Sequence, residues 1–341
     1  MKKILVTGAT GFLGSAIVKE LLNRNEKVRI TVRKASSRKN IEGLDAEIFE
    51  ADINDRESID KAVDGCTHVY HVAGLYRTWM RDYDQLIKVN VEGTRNVMQA
   101  ALESGVEKVV HTSSIAALGI RPDGKPSAED IEFNLHYLKA PYEISKYEAE
   151  KVVFESVEKG LNAVIVRPAM VMGEGDIYPT PSGKLVIDII KGRMPSYFDG
   201  GIDVVGINDV VAGHLLAMEK GGKGESYNLG CVENFATMKE IFKLIADEGS
   251  VRAPFMKSPR FMALAWAVLI TAVSDYITKK EPVATPANIR VLSAKKRVDF
   301  TKAVKELGIP QTPLKHVVKS TVDWYRKEGY FQNVSKNHRY C

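Results

Sequence analysis

The chain has little cysteine. Cys66, Cys231 and Cys341 are odd in number, far apart and spaced for neither a disulfide framework nor a metal site. No metal is expected, and a reducing cytoplasm is the expected compartment. Charge of one sign is also scarce: a net +5 over 341 residues excludes a broad nucleic-acid surface, although basic residues cluster locally. There is no internal repeat and no low-complexity tract. The apolar stretch at 261–273 stops at thirteen residues, short of the roughly 20 that span a bilayer. It is expected to form a helix packed in a second lobe, with no stable membrane insertion; the alternative is an apolar lid or membrane-touching helix. Met1 stands directly before the first strand-like run, so no signal peptide is expected. What remains, 45% hydrophobic and 27% charged, is ordinary for a soluble globular protein of one large α/β unit or two lobes.

The most informative segment is residues 1–14, MKKILVTGATGFLG. A short apolar strand at 2–7 runs into Gly8, Gly11 and Gly14, and an apolar-periodic helix follows at 12–22. Gly8 permits a tight turn at the strand end, Gly11 has no Cβ to obstruct a pyrophosphate, and Gly14 lets the helix pack close to the strand. The helix N-terminus then offers free N–H groups to an anion. The pattern predicts dinucleotide binding.

Strand-like runs at 2–7, 28–32, 46–50, 68–72, 108–113 and 162–166 alternate with helical patterns, among them 59–63, 83–104 and 142–159. That alternation predicts a doubly wound parallel sheet with helices on both faces, an α/β Rossmann fold. After Pro168 the rhythm changes, and Pro179, Pro181, Gly183, Gly192, Pro195, Gly200 and Gly201 mark loops over a substrate. Segments 204–207 and 225–229 are expected to return as strands to the sheet. The organisation is therefore a cofactor domain at 1–170 with a return segment at about 203–231, and a smaller, mostly helical substrate lobe from 171–202 and 232–341.

An acidic residue that binds both ribose hydroxyls is expected at the end of the second strand in an NAD-binding fold. Val32 stands there, followed by Arg33 and Lys34, with Arg38 near. A guanidinium in that place clamps a 2′-phosphate, so NADP(H) is expected over NAD. Asp52, after the third strand, is a candidate adenine-side contact.

The run at 108–113 ends in Thr112-Ser113-Ser114, on the sheet edge where open α/β folds place chemistry. Farther on, PYEISK at 141–146 sets Tyr142 and Lys146 one helical turn apart on one face. An ammonium beside a phenol lowers its pKa, and Ser114 can hold the same substrate oxygen. This is machinery for hydride transfer between a carbinol and a carbonyl. Tyr147 and Lys151 repeat the spacing five residues on, about 140° around the helix, so both pairs cannot face the cofactor. Pro141 at a helix start favours the first pair. His111 in an apolar strand is expected to be a core residue, and His68 and His71 to fill turns. Arg77, Trp79 and Arg81 are expected on the surface near the substrate mouth.

The chain resembles extended short-chain dehydrogenases/reductases of the NAD-dependent epimerase/dehydratase superfamily. The matching stretches are TGATGFLG, HVAG at 71–74, VNVEGT at 89–94, TSS at 112–114, PYEISK, VRPAMVMG at 166–173, GRMP at 192–195, NDVVAGHLLA at 208–217 and VDFTKAVKELG at 298–308. It is most similar to dihydroflavonol-4-reductase-like proteins and hopanoid-associated sugar epimerases. The resemblance implies Tyr142 as acid/base, Lys146 on the ribose and on Tyr142, Ser114 on the substrate oxygen and Asn90 as a backbone-orienting residue. Implied cofactor contacts are Gly8, Thr10, Gly11, Phe12, Leu13, Gly14, Arg33, Lys34, Arg38, Asp52, Ile53, Val72, Ala73, Gly74, Asn90, Tyr142, Lys146 and Pro168. A small-molecule substrate and a homodimer through the helices at 83–104 and 142–159 are further expectations.

Two departures narrow the chemistry. Dehydratases of this superfamily carry Asp-Glu beside the catalytic serine or threonine, whereas Ile115-Ala116 follow Ser114. UDP-sugar epimerases carry an arginine ahead of the aspartate matching Asp209, where this chain has Ile202. An apolar residue cannot pair a diphosphate. With Tyr197, Phe198, Val204 and Val205 nearby, an apolar cleft is expected. The reading is an NADP(H)-dependent oxidoreductase acting on a cyclic or apolar small molecule. A sugar epimerase with tightly held NAD(P) and a non-catalytic NADP-binding protein are the rivals.

Overall fold

The computed structural model describes residues 2–77, 79, 83–194, 196–282, 284–294 and 296–331. The strand β1 (Lys3–Thr7) buries Ile4, Leu5 and Val6 completely. Ile4 and Val6 point into one apolar core and Leu5 into another, so this short run needs helices on both sides. Around it lie β2 (Lys27–Val32), β3 (Glu47–Glu50), β4 (His68–His71), β5 (Lys108–Thr112) and β6 (Ala163–Pro168). All pair in parallel, and with the strand Ser226–Leu229 beyond β6 the order is β3-β2-β1-β4-β5-β6-(226–229). The expected doubly wound Rossmann sheet is present.

On one face pack the helices Phe12–Asn23 and Ile207–Lys220, through Ile17, Val18, Leu21, Val210 and Leu215. On the other lie Arg56–Val63, Gly93–Glu103 and Pro141–Glu158, through Ile59, Val63, Val97, Met98 and Val153. The sheet reverses direction of winding between β1 and β4, and their carboxyl ends open the crevice where such folds bind ligands. A separate core under the second lobe joins the helices Pro181–Ile190, Met238–Gly249 and Leu314–Lys327 through Ile187, Phe242, Ile245 and Tyr325.

Two expectations are corrected. The segment at 204–207 does not rejoin the main sheet. It ends the strand Gly201–Gly206, which pairs with Met170–Met172 and Phe235–Thr237 in a second, three-stranded sheet. The physical reason is its two-sided burial: Val204 lies in the core that joins the helices Pro181–Ile190, Met238–Gly249 and Leu314–Lys327, and Val205 in the core of the parallel sheet, so the strand joins two cores. The apolar stretch at 261–273 does form a helix, Arg260–Val273, but not a packed one. Ala267 is its buried residue, while Phe261 and Leu269 are 72% and 63% exposed. It lies as an outer layer on the helix Pro286–Ser293, and continues through a turn at Ser274–Thr278.

Candidate active site

The first turn is built so that no side chain fits in it. Gly8 has φ +73°, and a Cβ there would sit 2.6 Å from the Ala73 backbone nitrogen. A Cβ on Gly14 would meet the Gly8 carbonyl oxygen at 2.2 Å. These contacts bring the loops after β1 and β4 together and press the first helix onto the strand end. Gly11 caps that helix without a side-chain hydrogen bond and with no acid in its first turn, leaving the N–H groups of Phe12, Leu13 and Gly14 for an anion. This cradle fits the pyrophosphate of a dinucleotide. Buried Asn40, which sequence reasoning missed, donates from Nδ2 to the Thr10 carbonyl at 2.9 Å and ties the turn to the segment after β2.

At the ends of β2 and β3, Arg33, Lys34, Asp52 and Ser58 line a cleft of about 470 Å³ together with Glu50 and Asp55. Asp52 is held in shape by accepting from the Asn54 backbone at 2.9 Å. Arg38 is exposed one turn farther on and does not line this cleft. Ile53 is buried beneath Gly93, where a Cβ would approach its Cδ1 to 2.7 Å. Val72 and Ala73 form the β4 side of the first turn, and Pro168 ends β6 beside Leu229.

Proline at its first position starts the helix Pro141–Glu158, and Tyr142 and Lys146 project from its first two turns. The Ser114 hydroxyl, which accepts from the Ala116 N–H at 3.1 Å, lies close enough to the Tyr142 phenol to act on its pKa. Lys146 is buried and donates from Nζ to the Thr112 carbonyl at 2.9 Å. Its ammonium lies 3.4 Å from where a Cβ on Gly74 would be, so that glycine leaves the space beside it open. Burial pulls Lys146 down to about 8.

The phenol differs from expectation. Burial first, then the Tyr76 phenol beside it, pushes the Tyr142 pKa up, and the nearby Ser114 hydroxyl only partly offsets this. Tyr76 packs on Tyr142 with ring centroids 4.5 Å apart. Lys146 is engaged with Thr112, so desolvation dominates and Tyr142 holds its proton at neutral pH.

Three connections hold the site together, the first being the backbone-orienting role expected of Asn90. Asn90, in a π-turn at Lys88–Glu92, accepts from the Leu75 N–H at 2.7 Å and donates to the Leu75 carbonyl at 3.0 Å and to Ser145 Oγ at 2.9 Å. Ser145 Oγ donates to the Tyr142 carbonyl at 2.8 Å. Asn90 thus fixes the loop carrying Tyr76 to the helix Pro141–Glu158. Lys296 reaches from a distant segment to donate to the Ile115 and Leu118 carbonyls, holding the turn after Ser114.

The second tyrosine–lysine pair is elsewhere. Tyr147 stacks on Phe133 at 4.9 Å, and exposed Lys151 pairs with Glu148 at 2.8 Å. His111 is buried in β5 as expected, its ring 5.2 Å from His71. His71 does not fill a turn: it is fully buried between Thr7 Oγ1 at 2.8 Å and Thr94 Oγ1 at 3.0 Å. Trp79 is buried rather than on the surface, with Nε1 donating to Asp275 at 2.7 Å, and Arg77 faces Glu281 at 3.7 Å. Arg81, Pro195 and Cys341 lie outside the described residues. Val204 and Val205 are core residues and line no cleft, which corrects that expectation.

With this geometry in place, comparison with known proteins decides the family. Residues 4–230 match the model of the NAD dependent epimerase/dehydratase family. The chain belongs to that family. It is 33% identical over 329 residues to a putative dihydroflavonol 4-reductase of Synechocystis, covering 95% of each chain. It is 35% identical over 332 residues to sterol demethylase protein B of Methylococcus capsulatus, covering 95% of this chain and 98% of that one. Among solved structures it is similar to gox2253 (37% identity, TM-score 0.85, 97% and 99% covered) and to PA4631, a nucleoside-diphosphate-sugar epimerase from Pseudomonas aeruginosa (26%, TM-score 0.80, 96% and 99% covered). This family member is an NAD(P)-dependent oxidoreductase of the extended short-chain dehydrogenase/reductase type.

Proposed function

We propose that this enzyme uses NADP(H) to interconvert a carbonyl and a secondary alcohol on a cyclic or apolar small molecule. The observation that carries the proposal is the convergence of the Ser114 hydroxyl and the Tyr142 phenol at the carboxyl end of β5, with Lys146 one turn along the helix and held by the Thr112 carbonyl. The nicotinamide cofactor, when bound, supplies or accepts the hydride. Ser114 orients the substrate oxygen, and Tyr142 gives its phenolic proton to that oxygen as it becomes an alcohol. A phenol pushed up by burial is protonated at neutral pH, which suits it to act as the acid of a reduction. Lys146, pulled to about 8, is largely cationic there and stabilises the phenolate left behind. The same lysine would hold the ribose side, Gly8–Gly14 the pyrophosphate, and Arg33 with Lys34 a 2′-phosphate; Asn90, expected as a cofactor contact, is buried and spent on Leu75 and Ser145 instead. That cleft also carries Glu50, Asp52 and Asp55, so the preference for the phosphorylated cofactor rests on Arg33.

The names of the sterol and dihydroflavonol relatives support a ring-bearing substrate. Ile202 is partly buried against the second-lobe core, Arg193 pairs with Asp188 at 3.2 Å, and Arg290 points to the Leu138 carbonyl, so these residues offer little to a diphosphate. Similarity to the Pseudomonas epimerase favours the second reading, a sugar epimerase. A screen of ketones, flavanonols, steroids and nucleotide sugars separates them. A reductase consumes free NADPH with a carbonyl substrate, whereas an epimerase copurifies with cofactor and shows no net turnover of it. A non-catalytic NADP-binding protein would do neither. We also propose a cytoplasmic homodimer through the helices at 83–104 and 142–159, where Ile87 and Phe154 are exposed. Sedimentation of a Phe154→Asp variant as a monomer would support it, and a monomeric wild type would reject it.

A further inference from the structure

The helical segment Arg260–Thr278 presents its apolar side outward. Phe261, Met262, Trp266 and Leu269 recur at helical spacing on the exposed side, and Tyr276 is 82% exposed. Phe255, 67% exposed, extends the patch at the N-terminal end. A contiguous apolar surface of this kind is rare on a soluble monomer unless it meets a partner.

The charges around it identify that partner. Arg252 and Arg260 precede the apolar span, with Lys257 between them paired to Asp199 at 2.8 Å, Lys279 and Lys280 follow it, and Asp275 is the sole acid between 251 and 280. Asp275 is occupied by the Trp79 indole. We infer that this segment docks on the surface of an anionic bilayer, its apolar side at the headgroup–acyl boundary and its basic ends among the headgroups.

Nineteen residues rise about 28 Å, long enough to cross a bilayer, but the segment is anchored to the protein along its length. Ala267 and Ser274 are buried, and the helix Pro286–Ser293 packs against it. Its C-terminal end is tied through Asp275 to Trp79 and through Glu281 to Arg77. Crossing would break all of these contacts, whereas lying flat breaks none. A second copy is a poorer fit, because a two-fold pairing of such segments sets basic ends against basic ends in either orientation. Docking leaves the Leu75–Arg77 loop, and Tyr142 beneath Tyr76, at the lipid boundary. An apolar substrate could then enter from the membrane; that consequence alone rests on the proposed substrate class.

The test is co-sedimentation of the full chain with phosphatidylcholine vesicles, with and without phosphatidylglycerol. Phosphatidylglycerol should raise the partition coefficient about tenfold or more, given the attraction of several basic residues to an anionic surface. Phe261→Ser with Leu269→Ser should lower it about tenfold or more, since two large apolar side chains leave the interface. Lys279→Glu with Lys280→Glu should remove most of the phosphatidylglycerol effect. All four positions are exposed, and unchanged circular dichroism checks the fold. Trp266 emission should shift to the blue with vesicles, and Trp266→Phe should abolish the shift. Absence of pelleting, or pelleting indifferent to both double variants, overturns the inference. Retention after alkaline carbonate washing overturns it in favour of a span. A vesicle-indifferent dimer dissolved by Phe261→Ser with Leu269→Ser overturns it in favour of a second copy.

Discussion

Replacing Asn90 by alanine tests whether the loop over Tyr142 is positioned from the π-turn. The substitution removes three hydrogen bonds, two to the Leu75 backbone and one to Ser145 Oγ, from a side chain that is 2% exposed. At a net 0.5–1.5 kcal/mol each, the loss is roughly 1.5–4.5 kcal/mol, toward the upper end if the Leu75 N–H is left without a partner. Urea unfolding of wild type and variant with equal m-values reads this directly. A second readout concerns turnover. The Leu75–Arg77 loop packs Tyr76 on Tyr142, so a loosened loop misplaces the phenol, and kcat should fall in Asn90→Ala under conditions where the variant is fully folded. A cost below about 0.5 kcal/mol, or a lower stability with unchanged kcat in the folded variant, would refute the positioning role.

Arg33→Ala should weaken NADPH binding by about 1.5–3 kcal/mol, the range for hydrogen bonds to a charged group, and leave NADH nearly unchanged; equal wild-type affinities for the two cofactors would contradict this. Arg167→Met breaks a buried bidentate pair with Glu150, at 2.8 and 2.7 Å, that fixes the catalytic helix to β6. It should cost about 3–5 kcal/mol by denaturation because Glu150 is left buried and unpaired. Lys146 is lowered from its ordinary 10.5 to about 8, so between those values the unfolded chain binds more protons and its contribution to stability rises with pH. That contribution is present above the unfolded pKa and lost as pH falls through about 8. Wild type should thus gain stability relative to Lys146→Met between pH 8 and pH 10, by on the order of 1–3 kcal/mol; a parallel pH dependence of the two proteins would show the lysine is not desolvated.

Local features were legible in the sequence where the residue type has one structural use. Gly8 and Gly14 stand where backbone approaches backbone, and the alternation of β1 residues between two cores demands a doubly covered sheet. Proline before Tyr142 marked the start of its helix, and Tyr147 and Lys151 lie on another face from Tyr142 and Lys146. What was not legible depends on long-range packing. Lys296 joins the turn after Ser114 from far along the chain, and nothing in its neighbourhood marks it. Val204 and Val205 show strand character but not which sheet receives them. For residues 261–273, apolar composition suggested burial, whereas the fold offers that helix only one narrow contact edge.

Whether Tyr142 moves the proton while Tyr147 is structural is decided by steady-state assay of Tyr142→Phe and Tyr147→Phe, with the carbonyl substrate identified by the NADPH screen. Tyr142→Phe should retain cofactor affinity while kcat falls by ~10² or more, the usual range for losing a positioned acid, and Tyr147→Phe should stay close to wild type. Undiminished turnover in Tyr142→Phe, or an equal loss in both variants, would contradict that assignment.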